Sequence, residues 1–270
     1  MIRVLFNKKG GVGKSSLTCN LAAISAAKGL KTLVIDLDTQ CNASQYLLNS
    51  PEPHNSLEPR IKSLDQITDN MAQFYDQTIT FHIRKKPTIE FVSPTAFENL
   101  DIIPSSPELD QLHTKLESRH KIYKLKEGLE QLKGYYDRIY IDTAPALNFY
   151  SLSALIAADR CLIPMDCDEF SRQAIYNMMQ HLMEIKEDHN PALEVEGIIA
   201  NQFMARAKVP LQIINELKAE GHKVLESTIS SSVKMRESHQ VHMPLIHLAP
   251  KHKLTLELVA LWEEIEGGEK

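Results

Sequence analysis

Lys8-Lys9-Gly10-Gly11-Val12-Gly13-Lys14-Ser15-Ser16 decides how the rest of the chain is read. A short apolar run, Ile2 to Phe6, precedes it, and a helix-like pattern follows. Strand, glycine-rich loop, then helix is the context that a phosphate-binding loop requires. Gly10, Gly11 and Gly13 remove side chains that would keep a phosphate away from the backbone N–H groups. The first N–H groups of the following helix add the positive end of its dipole. Lys14 is placed to reach the β- and γ-phosphates, and the Ser15 hydroxyl to hold Mg²⁺. Val12 and Ser16 complete the candidate cradle.

The flanking chain reads as α/β. Leu17, Leu21 and Ile24 recur at helical spacing after the loop, and Gly29 follows as a C-terminal stop. Thr32 to Leu37 (TLVIDL) is a second buried strand, which completes a βαβ unit. That strand runs into Asp36-Leu37-Asp38-Thr39-Gln40-Cys41-Asn42. Carboxylates at the C-terminal edge of a parallel sheet lie where ligands bind in such folds. Further on, Tyr135 to Ile141 is a strand that delivers Asp142-Thr143-Ala144-Pro145. A carboxylate at that strand end suits a place beside Mg²⁺, through a bound water.

Three motifs in this order resemble the ParA/MinD family of deviant Walker A ATPases, closest to small Soj-like partition and positioning ATPases. They are K-G-G-x-G-K-S with the extra Lys9, D-x-D-x-Q at 36–40, and D-T-A-P at 142–145. The resemblance implies a P-loop fold with a mostly parallel twisted sheet flanked by helices on both faces. It implies ATP and Mg²⁺ as cofactors, with Ser15, Asp38 and Asp142 around the metal. It gives Lys9 a role across an ATP-dependent homodimer, on the partner's nucleotide. It has Asp38 orient the attacking water and Asp36 support the loop. Lys9, Lys14 and Asp38 are thus the catalytic candidates. Lys8 departs from the strict glycine pattern, and Thr39 and Cys41 replace the usual Pro and Gly.

The remaining chain is less uniform. Residues 49–60 carry three prolines and read as a loop. Residues 61–100 are the variable region, with room for one or two helices and a short strand near Ile89 to Val92. Asp101 to Pro104 reads as a strand. Leucines and Ile122 from 109 to 132 mark long helical structure with a solvated charged face. Residues 151–164 give a helix and a strand, 166–169 an acidic turn, and 171–188 an amphipathic helix. Val195 to Asn201 is a late strand. Asn201 resembles the family position that contacts adenine, with a plain strand-end cap as the alternative. No [NT]-K-x-D motif occurs, which favours ATP over GTP.

Residues 201–236 carry a modest basic excess. Ile229 to Glu237 resembles a family stretch in which basic residues contact DNA phosphates without reading sequence. This implies nonspecific double-stranded DNA as a partner, through Arg206, Lys234 and Arg236. Ser230 and Ser231 stand where Pro and Arg are expected, and an ordinary charged surface is the alternative. His239, His242, His247 and His252 fit no zinc spacing and read as loop histidines. The last helix has Leu254, Leu258, Leu261, Trp262 and Ile265 on one face and acidic residues on the other. A membrane-surface helix carries Lys and Arg there.

The bulk numbers agree with this class. The chain has 270 residues, 43% of them hydrophobic, and a net charge of −5. It is therefore not globally basic, and DNA contact needs a local patch. No apolar run approaches membrane-spanning length. Cys19, Cys41, Cys161 and Cys167 lack C-x-x-C spacing and read as reduced cytosolic cysteines. The expectation is a single ParA-like ATPase domain over 1–270, without an N-terminal helix-turn-helix. It is cytoplasmic and nucleoid-associated when ATP-bound, and is stimulated by a ParB-like or cargo-adaptor activator. The rivals are a MinD-like membrane positioner and a metabolic P-loop enzyme of the dethiobiotin synthetase kind. A nitrogenase-reductase-like carrier would need cluster cysteines in glycine-rich loops.

Overall fold

In the computed structural model, residues 1–49, 67–81, 84–166, 171–203 and 208–267 are described. Seven strands form one sheet: β1 (Ile2–Leu5), β2 (Thr32–Asp36), β3 (Ser93–Pro94), β4 (Leu100–Ile103), β5 (Arg138–Asp142), β6 (Arg160–Asp166) and β7 (Glu194–Asn201). Their order is β3-β4-β2-β5-β1-β6-β7. All neighbours pair in parallel except β3, which runs antiparallel to β4.

Side chains alternate between two cores, as the period of two in a strand requires. Val4, Leu33, Ile35, Ile139, Ile141 and Ile163 join one apolar cluster. It packs under α3 (Met71–Ile79), α4 (Leu109–Ser118), α5 (Lys124–Glu130), α6 (Phe149–Ala157), α7 (Ser171–Asp188) and α8 (Lys208–Ala219). Leu5, Val34, Tyr140 and Leu162 face the other cluster. That side is covered by α1 (Lys14–Ala27), α2 (Asn42–Leu48), α10 (Leu245–Leu248) and α11 (Lys253–Gly267). The short α9 (Val233–Gln240) adjoins it through Met235. With β1 between β5 and β6, the loop after β1 emerges at the middle of the C-terminal sheet edge, the usual ligand position in open α/β sheets.

Two sequence expectations change. The strand near 89–92 is instead a 3-10 turn, Thr88–Phe91, followed by the two-residue β3. Thr88 and Phe91 are buried while Ile89 is exposed, so burial follows a helical turn rather than strand alternation. The helical stretch 109–132 breaks into α4 and α5, with His120 between them in the left-handed region at φ +53°. The polar run Ser118 to Lys121 has no core contact to carry a helix across. The loop expected at 49–60 lies, apart from Asn49, outside the described residues.

α11 buries Leu254, Leu258, Leu261 and Ile265. Its tie to the sheet includes an ionic knot. Arg3 of β1 is fully buried. Its guanidinium donates to Glu196 at 2.8 and 3.0 Å, to Glu266 at 2.7 Å and to the Ile265 carbonyl at 3.2 Å. Arg138 also donates to Glu266.

Candidate nucleotide site

The loop between β1 and α1 is braced from several elements. The Asn7 amide donates to the Pro164 carbonyl at 2.7 Å, and its Oδ1 accepts from the Lys9 N–H at 2.9 Å. Gln202 Nε2 donates to the Gly11 carbonyl at 2.7 Å, and Asn201 Nδ2 to the Val12 carbonyl at 2.8 Å. Gly11 and Gly13 take φ of +75° and +85°. Gly13 is doubly constrained, because a Cβ there would lie 2.3 Å from Asn201 Nδ2. Glycine meets both demands, and the loop turns into α1 with its first N–H groups free of a side-chain cap.

Lys14 crosses beneath the loop. Its Nζ donates to the Lys9 carbonyl at 3.1 Å, and the side chain is 6% exposed. Burial lowers its pKa, and the charges of Asp142 and Asp38 work against that shift. Lys9 points elsewhere: its Nζ lies 2.8 Å from Asp166 Oδ2 at the end of β6. Lys8 Nζ lies 3.2 Å from His181 Nε2 on α7.

The carboxylates meet because β2 and β5 are neighbours in register. Asp36 pairs with Asp142 across the ladder. Asp36 is fully buried and serves the loop. It accepts from the Asp38 N–H at 3.0 Å, from the Ser44 N–H at 2.9 Å and from the Ser44 hydroxyl at 2.6 Å. Burial pushes its pKa up to about 6 despite those bonds. Asp38 is 6% exposed and accepts from the Gln40 N–H at 3.0 Å. Cys41, at φ +56°, occupies the left-handed turn before α2, a conformation uncommon for a residue with a Cβ.

Asp142 is buried, and neither oxygen has a partner at full hydrogen-bond geometry, with the Ser15 hydroxyl the nearest donor. Burial, then the charge of Asp36, holds its pKa well above the usual carboxylate range. The adjacent Ser15 hydroxyl and the Lys14 ammonium offset this only in part. An orphaned carboxylate beside Ser15 fits a divalent cation. Among the described residues, no group of three or more His, Cys, Asp or Glu could hold a metal ion by itself. That suits Mg²⁺, which takes one or two carboxylates and completes its shell with phosphate and water.

These groups open on a cavity of about 590 Å³. Lys14, Ser15 and Asp38 lie along its wall, together with Tyr46 of α2 and Arg236 and His239 of α9. His239 Nε2 is 2.9 Å from the Ser16 hydroxyl, and its ring centroid is 4.9 Å from that of Tyr46. The ring stays open to the cavity. Partial burial against its neighbours, with His242 nearby, lowers its pKa.

Loop residues 10–16, Asp38 and Asp142 lie together at this edge of the sheet, while the Lys9 side chain turns to Asp166. Asn201 reaches the site as a brace on the Val12 carbonyl, and its amide nitrogen is committed there. Arg206 and Cys167 lie outside the described residues. Lys234, on α9, pairs with Glu237, while Arg236 faces the cavity. The histidines are not loop residues as a group. His239 belongs to α9, and His247 belongs to α10, stacked on Phe97 at 4.7 Å. Sequence reasoning missed Asn7, Gln202, His239 and Asp166. Only Gln202, beside Asn201, and Asp166, ending the strand next to β1, carried a signal.

A glycine loop capping β1, a buried lysine beneath it and acids on two adjacent strand ends define a P-loop nucleotide-binding protein. The chain belongs to the ParA/MinD-type family, whose model, described as an AAA domain, matches residues 1–195. It is 30% identical to the chromosome partitioning protein ParA of Myxococcus xanthus, over 96% of this chain and 85% of that protein. Solved structures share the fold. An ATP complex of a variant of Cyanothece McdA superposes with a TM-score of 0.78 at 20% identity, covering 98% of this chain and 96% of that one. Cobyrinic acid a,c-diamide synthase from Mycobacterium smegmatis, with bound ADP and magnesium, does so at 0.76 and 18%, covering 100% and 96%.

Proposed function

We propose that this chain is an ATP-driven switch that dimerises on ATP, binds nonspecific DNA and is reset by partner-stimulated hydrolysis. The observation that carries the reading is Lys9 standing beside a complete P-loop whose acids are Asp36, Asp38 and Asp142. Lys9 together with the Asp36-Leu37-Asp38-Thr39-Gln40 stretch disfavours a metabolic P-loop enzyme.

The backbone N–H groups of Gly10 to Ser16 and the Lys14 ammonium hold the phosphates. Ser15, Asp38 and Asp142 would hold Mg²⁺, which when bound would neutralise phosphate charge. Asp38, partly desolvated at the cavity wall, orients the attacking water. Asp36 fixes the Asp38 turn through its backbone N–H. Lys9 leaves its own chain and supplies a cation to the facing subunit's nucleotide, in the manner of an arginine finger. ATP thereby favours the closed dimer, and hydrolysis removes that preference. Lys234, off the cavity wall, contacts DNA phosphates, with Arg206 as a second cation. Two such patches in a dimer add avidity. The switch works in the cytoplasm, on the nucleoid, with a ParB-like or cargo-adaptor protein as activator and a chromosome, plasmid or protein assembly as cargo. Burial of the apolar face of α11 leaves that face unavailable to a membrane.

The test is anisotropy of a nonspecific DNA duplex with no nucleotide, ADP or ATP, across a salt series, for wild type and Asp38→Ala. The expected result is ATP-dependent, salt-sensitive binding that outlasts wild type in Asp38→Ala. Absence of DNA binding in every nucleotide state, with ATP-driven dimerisation intact, would overturn the DNA part. Turnover with a small carboxylate would favour the metabolic rival.

A further inference from the structure

We infer that Arg236 is a nucleotide-binding residue, supplying a cation in cis to the polyphosphate from α9. This rests on the P-loop reading and assigns a role outside the motif set.

Three observations carry it. First, Arg236 lines the same cavity as Gly10, Gly11, Gly13, Lys14 and Ser15. Secondly, the structure gives its guanidinium no hydrogen-bond or ion-pair partner among the described residues. The other basic residues of the site are engaged: Lys8 with His181, Lys9 with Asp166, and Lys14 with the Lys9 carbonyl. Thirdly, α9 is fixed to the P-loop helix and to α2, so the guanidinium is presented from a held backbone. The Ser16 hydroxyl lies 2.9 Å from His239 Nε2. The Tyr46 and Ser238 hydroxyls lie 3.0 Å apart. Asn20 of α1 donates to the Met235 sulfur at 3.8 Å and accepts from the Leu245 N–H at 2.8 Å.

Charge balance makes the need plain. Lys14 already faces the charges of Asp142 and Asp38. In a single subunit, with Lys9 tied to Asp166, few cations remain to meet a polyphosphate. A guanidinium offers forked donors that match phosphate oxygens. Arg236 therefore acts at the nucleotide rather than beside Lys234 at DNA.

The test compares wild type, Arg236→Gln, Arg236→Lys and Lys234→Gln by calorimetric titration with ATP, GTP and inorganic tripolyphosphate at fixed Mg²⁺. A phosphate contact weakens all three ligands alike in Arg236→Gln, by about tenfold. Arg236→Lys recovers part of the loss, and Lys234→Gln leaves the three ligand affinities at wild type while making the DNA salt slope shallower. The DNA salt slope of Arg236→Gln at saturating ATP stays at the wild-type value. Unchanged ligand affinities, a loss confined to ATP, or a shallower DNA salt slope with intact nucleotide affinity would each overturn the assignment. Wild type that binds no nucleotide would instead sink the P-loop reading, and this inference with it.

Discussion

Lys9 Nζ stands 2.8 Å from Asp166 Oδ2 of the same chain, a pair that ties the glycine-rich loop to the end of β6. Both side chains are about one-third exposed, and pairs of that kind contribute about 0.2–1 kcal/mol. In the proposed dimer, two subunits that both release Lys9 would lose about 0.4–2 kcal/mol on closing. Asp166→Asn removes that brake. ATP-dependent dimerisation, followed by sedimentation velocity, is expected to tighten by between about twofold and thirtyfold, while monomer affinity for ATP stays constant. A weaker dimer would mean that Asp166 serves the closed state instead.

Asp36 and Asp142 contribute a pH dependence to the ligand-free protein. Burial raises both above the ordinary carboxylate range, Asp36 to about 6. A raised acid stabilises the folded state most fully below its unfolded pKa. That stability is lost as pH climbs through the folded value. The chain without Mg²⁺ and nucleotide should therefore lose stability as pH rises above about 4, the Asp36 part being lost as pH passes about 6. Asp142→Asn abolishes the Asp142 part. In EDTA at pH 7.5 the variant is expected to be more stable than wild type by roughly 1–3 kcal/mol in urea. The gain should shrink on moving to pH 5. Mg²⁺-dependent stabilisation by ATP should be lost in the same variant. A variant less stable than wild type at pH 7.5 would show that Asp142 is not an uncompensated buried charge.

What the sequence showed of this site was what lies close together along the chain. The order β1, loop, α1 and the acids ending β2 and β5 could be read because each is a local pattern at a strand end. That Asp36 stands opposite Asp142 depends on β2 lying next to β5, a fact of sheet order. Ser16 and His239 are 223 residues apart, and no periodicity links them. Arg236 was read as part of a basic stretch, because composition counts charges without knowing which side of α9 they leave from. Ile89 to Val92, apolar at three of four positions, fits either period and so reads as a strand, whereas the chain makes a 3-10 turn at Thr88–Phe91.

Gly13 and Asn201 make a paired test of the loop. Gly13→Ala brings a Cβ to 2.3 Å from Asn201 Nδ2 and places a side chain at φ +85°. The backbone part costs about 1–2 kcal/mol, and the clash adds to it. ATP affinity of Gly13→Ala is expected to fall more than about tenfold. Asn201→Ala alone loses the bond to the Val12 carbonyl, worth about 0.5–1.5 kcal/mol, and weakens ATP by several-fold. The double variant relieves the clash but not the φ strain, so it binds ATP better than Gly13→Ala and worse than wild type. Strict additivity of the two losses in an equilibrium titration would show that the side chains do not meet.

Arg3, at the other end of β1, tests stability apart from the site. Its guanidinium is fully buried between Glu196 and Glu266. Removing one partner of a buried pair leaves an uncompensated charge, which costs about 3–5 kcal/mol. Arg3→Met should therefore lower unfolding free energy by that amount, with Glu196 the residue left most exposed to the loss. Arg138 still reaches Glu266, so that carboxylate keeps a partner. Arg3→Met combined with Glu196→Leu replaces the pair by apolar side chains and is expected to recover most of the stability. ATP affinity of the folded fraction should stay at the wild-type value in both, because neither residue borders the nucleotide cavity. A double variant no more stable than Arg3→Met, measured by urea denaturation, would mean that packing of the arginine stem matters more than its charge.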